Sequence, residues 1–210
     1  MSTLRDIKVL HLEPTDVCQA ACPMCARETD KDFNKTRQRH LTIEQIVKHF
    51  DEEKIKALDK MFMCGNYGDP AAGKHTLDIY NYFRQLNPNI VLGMNTNGGI
   101  RNTEWWKELA TILSHPRDYV VFSIDGLEDT NHIYRRNVKW DRLMENAQAF
   151  IDAGGRAEWD YLIFKHNEHQ ILDALKLSRE LGFVDFKFVK KPVVPLTTFD
   201  WKQKQLPCNQ

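Results

Sequence analysis

The chain has 210 residues, of which 42% are hydrophobic, and this length and composition suit one domain with a buried core. Basic and acidic residues number 29 each, so the overall charge gives no signal for nucleic acid or an acidic membrane as a partner. No apolar run reaches the length of a membrane span, and residues 1–6 lack the apolar core of a signal peptide, so we expect a cytoplasmic location.

Short β-rich runs alternate with helical patterns along the chain. Strands are predicted over residues 7–12, 60–64, 90–94, 119–124, 159–164 and 186–189. Helices are predicted over residues 42–58, 75–86, 103–113, 140–153 and 168–181. This alternation favours an α/β fold with a parallel sheet and right-handed crossovers. A doubly wound open sheet and a partial barrel both fit, and in both of them ligands gather at the carboxyl ends of the strands.

Polar motifs mark the ends of the first four predicted strands. Cysteines follow the first strand, and Gly-Asn-Tyr-Gly-Asp-Pro at 65–70 follows the second. Asn-Thr-Asn-Gly-Gly at 95–99 follows the third, and Ser-Ile-Asp-Gly at 123–126 ends the fourth. Turn chemistry accounts for part of this composition. Because the strands are predicted to be parallel, we expect the four motifs to meet at one edge of the sheet.

The most informative motif is the spacing C-x3-C-x2-C formed by Cys18, Cys22 and Cys25. Five cysteines with three of them bunched together indicate metal ligands rather than a disulfide framework. A structural zinc site takes four protein ligands and an ordinary four-iron cluster takes four cysteines, so three thiolates leave one iron open. A zinc site completed by a distant residue such as Cys208 or a histidine is the alternative. Cys64 is predicted to be a buried packing thiol.

These motifs together resemble those of the radical SAM superfamily over residues 7–189. The resemblance implies a (βα)6 partial TIM barrel in which Cys18, Cys22 and Cys25 hold a 4Fe-4S cluster. It also implies an oxidoreductase-type reaction, in which S-adenosyl-L-methionine binds the open iron and is reductively cleaved to a 5′-deoxyadenosyl radical that abstracts hydrogen from a substrate. An electron donor such as flavodoxin or ferredoxin is the implied partner.

The resemblance implies cofactor contacts for the first two strand-end motifs. Met24 stands where the family often has an aromatic residue near the adenine, and methionine is apolar enough to fill that place. The run 68–70 stands where the family usually carries Gly-Gly-Glu-Pro, which meets the amino group of the cofactor. Because Asp69 is shorter than glutamate and Tyr67 replaces a glycine, the backbone carbonyls of Tyr67 or Gly68 are the alternative to the carboxylate.

The next two motifs carry further implied contacts. Asn97, Ser123 and Asp125 stand where family members reach the ribose hydroxyls or the methionine carboxylate, although Asp125 could instead approach substrate or cap a turn. The run 129–136 resembles a stretch in peptide-modifying and sulfatase-maturing members. In that reading Arg135 clamps the cofactor carboxylate, and a solvated basic helix end is the alternative.

The same similarity around residues 123–136 favours a peptide or protein substrate. A small metabolite or nucleoside substrate, and a non-catalytic metal-binding or interaction domain, are the alternatives. The barrel is expected to span residues 1–190 and to be followed by an irregular tail at 191–210. Cys208 in that tail is either the first ligand of a cysteine-rich extension or without a role. No residue is assigned to the hydrogen transfer itself.

Overall fold

The computed structural model describes residues 7–30, 32–33 and 38–189, and it contains one six-stranded parallel sheet. The strands are Val9–Leu12 (β1), Lys60–Met63 (β2), Val91–Thr96 (β3), Tyr119–Ser123 (β4), Ala157–Leu162 (β5) and Asp185–Val189 (β6). They lie in chain order from β1 to β6, and every neighbouring pair is parallel. A doubly wound sheet would reverse its order at a switch point, so that alternative was wrong. Within the described chain β1 and β6 each pair on one side, and the predicted partial barrel is confirmed.

Helices connect the strands and cover one face of the sheet. They are Ala26–Thr29 (α1), Ile43–His49 (α2), Glu52–Lys56 (α3), Thr76–Leu86 (α4), Thr103–Ile112 (α5), Asn131–Tyr134 (α6), Trp140–Asp152 (α7) and Ile171–Glu180 (α8). Short 3-10 turns lie at Pro70–Ala72 and Glu168–Gln170. None of the described helices is long and apolar enough to cross a membrane.

The predicted helix over 42–58 is two helices in the structure. Phe50 ends α2 in an extended conformation, and Asp51 then caps α3 by accepting a hydrogen bond from the Glu53 amide at 2.9 Å. The short helices α1 and α6 were not predicted, because four residues are too few to show a helical period. The predicted tail at 191–210, with Cys208, lies outside the described residues.

The core lies between the helices and the convex face of the sheet. Alternation along the strands sends Phe122 and Trp159 to this face, and Trp106 of α5 packs on Phe122 with ring centroids 5.2 Å apart. The polar atoms of these buried aromatic rings are satisfied, since the Trp159 indole donates to the Ile124 carbonyl at 2.9 Å and the Trp106 indole to the Ile100 carbonyl at 3.1 Å. The core therefore fixes the strand ends from one side and leaves the concave face open.

Candidate functional site

The three cysteines lie on the loop between β1 and α1. Cys22 is buried, Cys18 and Cys25 are half-buried, and none of the three is in a disulfide. A turn closes between the last two, because the Cys25 amide donates to the Cys22 carbonyl at 3.0 Å. Two other loops hold this segment in place: the Asp69 amide donates to the Val17 carbonyl at 2.8 Å, and the Ala21 amide donates to the Arg136 carbonyl at 3.0 Å.

Gly68 lets the loop after β2 lie directly against the cysteine loop. A Cβ atom at this position would stand 2.3 Å from the Thr15 carbonyl oxygen and 2.8 Å from the Val17 nitrogen, so a side chain does not fit. The Glu13 carboxylate adds to this contact by accepting from the amides of Asn66 at 3.2 Å and Tyr67 at 3.4 Å. The Gly68 backbone is therefore part of the wall around the thiols.

Asp69 points into the protein rather than into open space, and only 4% of it is exposed. Its carboxylate accepts from the Thr96 hydroxyl at 2.8 and 3.0 Å and from the Ala71 amide at 2.9 Å. It also accepts from both the backbone and the side-chain amide of Asn97, at 2.8 and 2.6 Å. Burial raises the pKa of Asp69, and these donors oppose that effect by favouring the ionised form. Asp69 thus ties the ends of β2 and β3 together.

Asn97 carries this connection on to the cysteines. Its side-chain nitrogen, held by Asp69, also lies 3.6 Å from the Cys18 sulfur as a hydrogen-bond donor. Its side-chain oxygen accepts from the Gln19 amide at 2.6 Å and from the Gly99 backbone amide at 2.9 Å. With every polar group of the amide engaged, the orientation of Asn97 is fixed, and one N–H is directed at a thiol.

Asp125, which is buried, and Arg135, which is half-buried, form an ion pair on the other side of the cysteine loop. Arg135 Nε donates to Asp125 Oδ2 at 2.6 Å, and Asp125 is fully buried. The Leu162 amide donates to the second oxygen of Asp125 at 2.7 Å, and the Asn131 side chain accepts from the Asp125 amide at 2.9 Å. Arg135 Nη1 lies 4.0 Å from the Cys22 sulfur. Burial opposes the charge of Arg135, but the Asp125 carboxylate outweighs it and the pKa of Arg135 is raised.

Arg27 is a second cation beside the thiols, and this one is buried; sequence reasoning missed it. Arg27 is 7% exposed, its Nη1 donates to the Cys18 carbonyl at 3.2 Å, and its Nε has no acceptor among the described residues. Its guanidinium lies 5.3 Å from the centroid of the Phe33 ring. Burial raises the pKa of the Cys18 thiol to about 12, and the nearby Asp69 charge adds to this, whereas Arg27 opposes it.

The other predicted site residues lie at the edges of this arrangement. Met24 is half-buried in the turn between Cys22 and Cys25. Ser123 is the last residue of β4, half-buried and paired with Asp160 of β5. Cys64 follows β2 directly and is half-buried, rather than buried as predicted, because the strand ends before it and leaves it on the loop.

The donor set fits a cluster better than a single ion. Among the described residues no three His, Cys, Asp or Glu side chains stand where they would hold one metal ion. An iron–sulfur cluster takes each cysteine on a different iron, so its ligands lie further apart than those of one ion. Three free thiols, an N–H directed at Cys18 and the cations Arg27 and Arg135 next to the loop suit such a negatively charged group.

Comparison with known proteins gives a family match and several similar folds. The family model described as the radical SAM superfamily matches residues 12–178. The chain is 29% identical over 127 residues to the tungsten-containing aldehyde ferredoxin oxidoreductase cofactor-modifying protein of Pyrococcus furiosus. That alignment covers 60% of this chain and 33% of the relative, so the chain spans about a third of the curated protein that it matches.

Solved structures with the same fold share little sequence with this chain. Streptococcus suis SuiB bound to S-adenosylmethionine superposes with a TM-score of 0.66 at 16% identity, over 89% of this chain and 42% of that one. The protein anSMEcpe with bound AdoMet gives 0.66 at 16% identity, over 86% and 49%. Methylornithine synthase (PylB) gives 0.62 at 10% identity, over 93% and 60%. At these identities the likeness shows the fold.

Proposed function

Because the chain belongs to the radical SAM superfamily, we propose that it forms the catalytic barrel of a radical SAM enzyme. Cys18, Cys22 and Cys25 would hold a 4Fe-4S cluster, with S-adenosylmethionine as the second cofactor. When bound, this pair would supply reductive cleavage of a carbon–sulfur bond, with the electron coming from an external donor, and hydrogen abstraction from a substrate. The observation that carries the proposal is that the loops after β2, β3 and β4 are all hydrogen-bonded into the cysteine loop or to its sulfurs.

Within this proposal Asp69 is a positioning residue. Thr96, Asn97 and Ala71 occupy both oxygens of its carboxylate, so we assign the contact with the cofactor's amino group to the backbone carbonyls of Tyr67 or Gly68. Asp69 would act through Asn97, whose amide stabilises a thiolate at Cys18. The motif predicts that Asp69 contacts the cofactor, whereas in this proposal its carboxylate holds the cluster-binding cysteine loop in place.

Arg135 and Arg27 would balance negative charge around the thiolates. Arg135 is fixed by Asp125 and directs one N–H group towards Cys22, which leaves further N–H groups for the cofactor carboxylate. Arg27 donates to the Cys18 carbonyl, and its positive charge lowers the pKa of the Cys18 thiol, so it would favour a thiolate in the cysteine loop. Ser123 would bind a hydroxyl or carboxylate of the cofactor from the end of β4, and Met24 would pack near the adenine.

We infer a peptide or protein substrate from the neighbours in fold. SuiB was solved bound to its precursor peptide SuiA, and anSMEcpe was solved with bound AdoMet and the Cp18Cys peptide. The relative from Pyrococcus furiosus is named for modifying a cofactor, which keeps a small-molecule substrate as the second candidate. Free thiols and an iron–sulfur cluster both suit a reducing compartment, so we place the protein in the cytoplasm with flavodoxin or ferredoxin as electron donor.

The test is formation of 5′-deoxyadenosine by the protein reconstituted with iron and sulfide under anaerobic conditions, with dithionite as reductant. We expect the wild-type chain to form it and Cys22→Ala to form none. Cys64→Ala is the matched control, because Cys64 lies outside the three-cysteine loop and its loss should leave the product unchanged. Wild-type-like product formation by Cys22→Ala would contradict the ligand assignment.

A further inference from the structure

The concave face of the sheet is polar, although both faces of a parallel sheet are ordinarily covered by apolar packing. A cavity of about 410 Å³ opens on this face. The side chains that line it and that matter here are Lys60, Asn95, Tyr119, Glu158, Asp160 and Lys187. They come from five neighbouring strands, β2 to β6, so the fold brings charges from the middle of the chain into one space.

Part of this charge is already neutralised within the protein. Lys187 Nζ donates to Glu158 Oε2 at 2.6 Å and lies 3.3 Å from the Asp185 carboxylate. The second oxygen of Glu158 pairs with Arg156 at 3.1 Å. Glu158 therefore has a cation on each oxygen and offers little to a ligand.

Asp160 is the anion that remains. Its Oδ1 atom is buried and has no hydrogen-bond partner among the described residues. Burial raises the pKa of Asp160, and Lys187 opposes that rise from a distance. Asp160 is paired with Ser123 across β4 and β5, which places it at the end of the cavity nearest the cysteine loop.

Lys60 is the cation that remains. Its ammonium lies 4.8 Å from the Tyr119 ring centroid and 5.3 Å from the Phe62 ring centroid, and no carboxylate of the described residues lies within 4.0 Å. Lys60 begins β2, so the strand register places Asp160 well beyond it towards the carboxyl ends. The amide of Asn95 lines the cavity between these two charges along the strand direction.

We propose that this cavity binds an elongated substrate that carries a primary ammonium at one end and a carboxylate or amide carbonyl at the other. The ammonium pairs with Asp160, the acceptor pairs with Lys60, and the aliphatic stem lies over the Tyr119 ring. A lysine-like amino acid and a lysine-like residue of a peptide share this chemistry. The inference rests on the proposed function, because it assigns the cavity to the substrate of that reaction.

The organic cation is favoured over a metal ion for a simple reason. An unpaired buried carboxylate oxygen needs a positive partner or a proton donor. The described residues offer no set of three His, Cys, Asp or Glu side chains that would complete a metal site around Asp160. A terminal ammonium supplies three donors of its own and needs no further protein ligands.

The test is calorimetric titration of four probes into the reconstituted protein, saturated with S-adenosylmethionine and kept oxidised so that no turnover occurs. The probes are L-lysine, Nα-acetyl-lysine N-methylamide, and their two norleucine counterparts, which lack the side-chain ammonium. We expect at least one lysine probe to bind at least tenfold tighter than its norleucine counterpart. Tighter binding of L-lysine would indicate a free amino acid as the substrate, and tighter binding of the capped probe would indicate a residue of a peptide.

Substitutions of Asp160 and Lys60 test which end of the probe each of these two charges binds. Asp160→Asn should reduce the lysine probes to the affinity of the norleucine probes, and Lys60→Met should weaken the lysine and norleucine probes by a similar factor. Asp173→Asn and Lys176→Met, both on α8, are the matched controls and should bind as the wild type does. Circular dichroism melts of all four variants check that each is folded.

Equal binding of lysine and norleucine probes, no binding of either, or a lysine preference that survives Asp160→Asn would overturn the inference. Measuring cluster uptake, 5′-deoxyadenosine formation and probe binding on the wild-type protein shows whether the cavity assignment or the proposed function has failed. If it binds lysine probes but takes up no cluster, the proposed function is wrong, and only the preference of the cavity for a ligand with an ammonium group stands. If it forms 5′-deoxyadenosine but shows no preference for the ammonium, the assignment of the cavity is wrong and the function stands.

Discussion

Replacing Asp69 with asparagine separates a positioning role from direct contact with the cofactor. The carboxylate accepts hydrogen bonds from Thr96, Ala71 and both amide nitrogens of Asn97, and the buried Oδ2 atom takes both bonds from Asn97. An asparagine amide nitrogen in that place leaves two buried donors facing another donor. Each unsatisfied buried donor costs about 1–3 kcal/mol, so we expect a loss of about 2–6 kcal/mol in the free energy of unfolding.

The assay is urea unfolding of the reconstituted protein, followed by circular dichroism, with a thermal melt beside it. For a domain of this size the loss corresponds to a fall in Tm of at least about 4 °C. Asp173→Asn on the exposed surface of α8 is the control and should leave the unfolding curve unchanged. If Asp69→Asn keeps wild-type stability and weakens only the binding of S-adenosylmethionine, Asp69 contacts the cofactor directly and the positioning argument is refuted.

Three further substitutions test the contacts around the cysteine loop. Gly68→Ala should destabilise the protein by about 1–3 kcal/mol and lower its iron content, because its Cβ would meet backbone atoms of the cysteine loop. Gly154→Ala is the comparison: its Cβ would meet no neighbouring atom, but its φ of +87° disfavours alanine, so it should lower the stability by about 1–2 kcal/mol and leave the iron content unchanged. Asp125→Asn should lower the free energy of unfolding in urea by about 3–5 kcal/mol, because it leaves Arg135 unpaired. Adding Arg135→Met should recover part of that loss, and no recovery would contradict a stabilising role of the ion pair. Arg27→Gln should shift the reduction potential of the cluster to more negative values, since a buried cation favours the reduced state. The measurement is a redox titration followed by electron paramagnetic resonance. An unchanged potential would show that Arg27 does not balance the charge of the cluster.

Much of the fold could be predicted because the period of apolar residues changes between strands and helices along the chain. Six strands were predicted within a few residues of their positions in the structure. The strand order was not visible in that pattern, since it depends on which faces of α4 and α5 pack on which strands. The break between α2 and α3 was missed because Asp51 fits the helical pattern as a surface residue and acts as a cap only once the backbone is extended.

The site could be predicted only as a set of neighbouring motifs. Gly68, Asp69 and Asn97 were singled out from strand-end motifs, but the motifs do not say that the Asp69 carboxylate turns inward onto Asn97. That contact joins residues on separate loops, and each of the two motifs has the composition of an ordinary turn, so neither indicates its partner. Gln19 and Arg27 were missed for a similar reason, because the sequence does not show that Gln19 binds the Asn97 side chain or that Arg27 is buried.

The measurement that tests the central claim most directly is the iron content and electron paramagnetic resonance spectrum of the reduced, reconstituted protein, recorded with and without S-adenosylmethionine. We expect about four irons per chain, which is one 4Fe-4S cluster, and a signal that changes when the cofactor is added. Zinc in place of a cluster, or a cluster whose spectrum is indifferent to S-adenosylmethionine, would contradict this expectation.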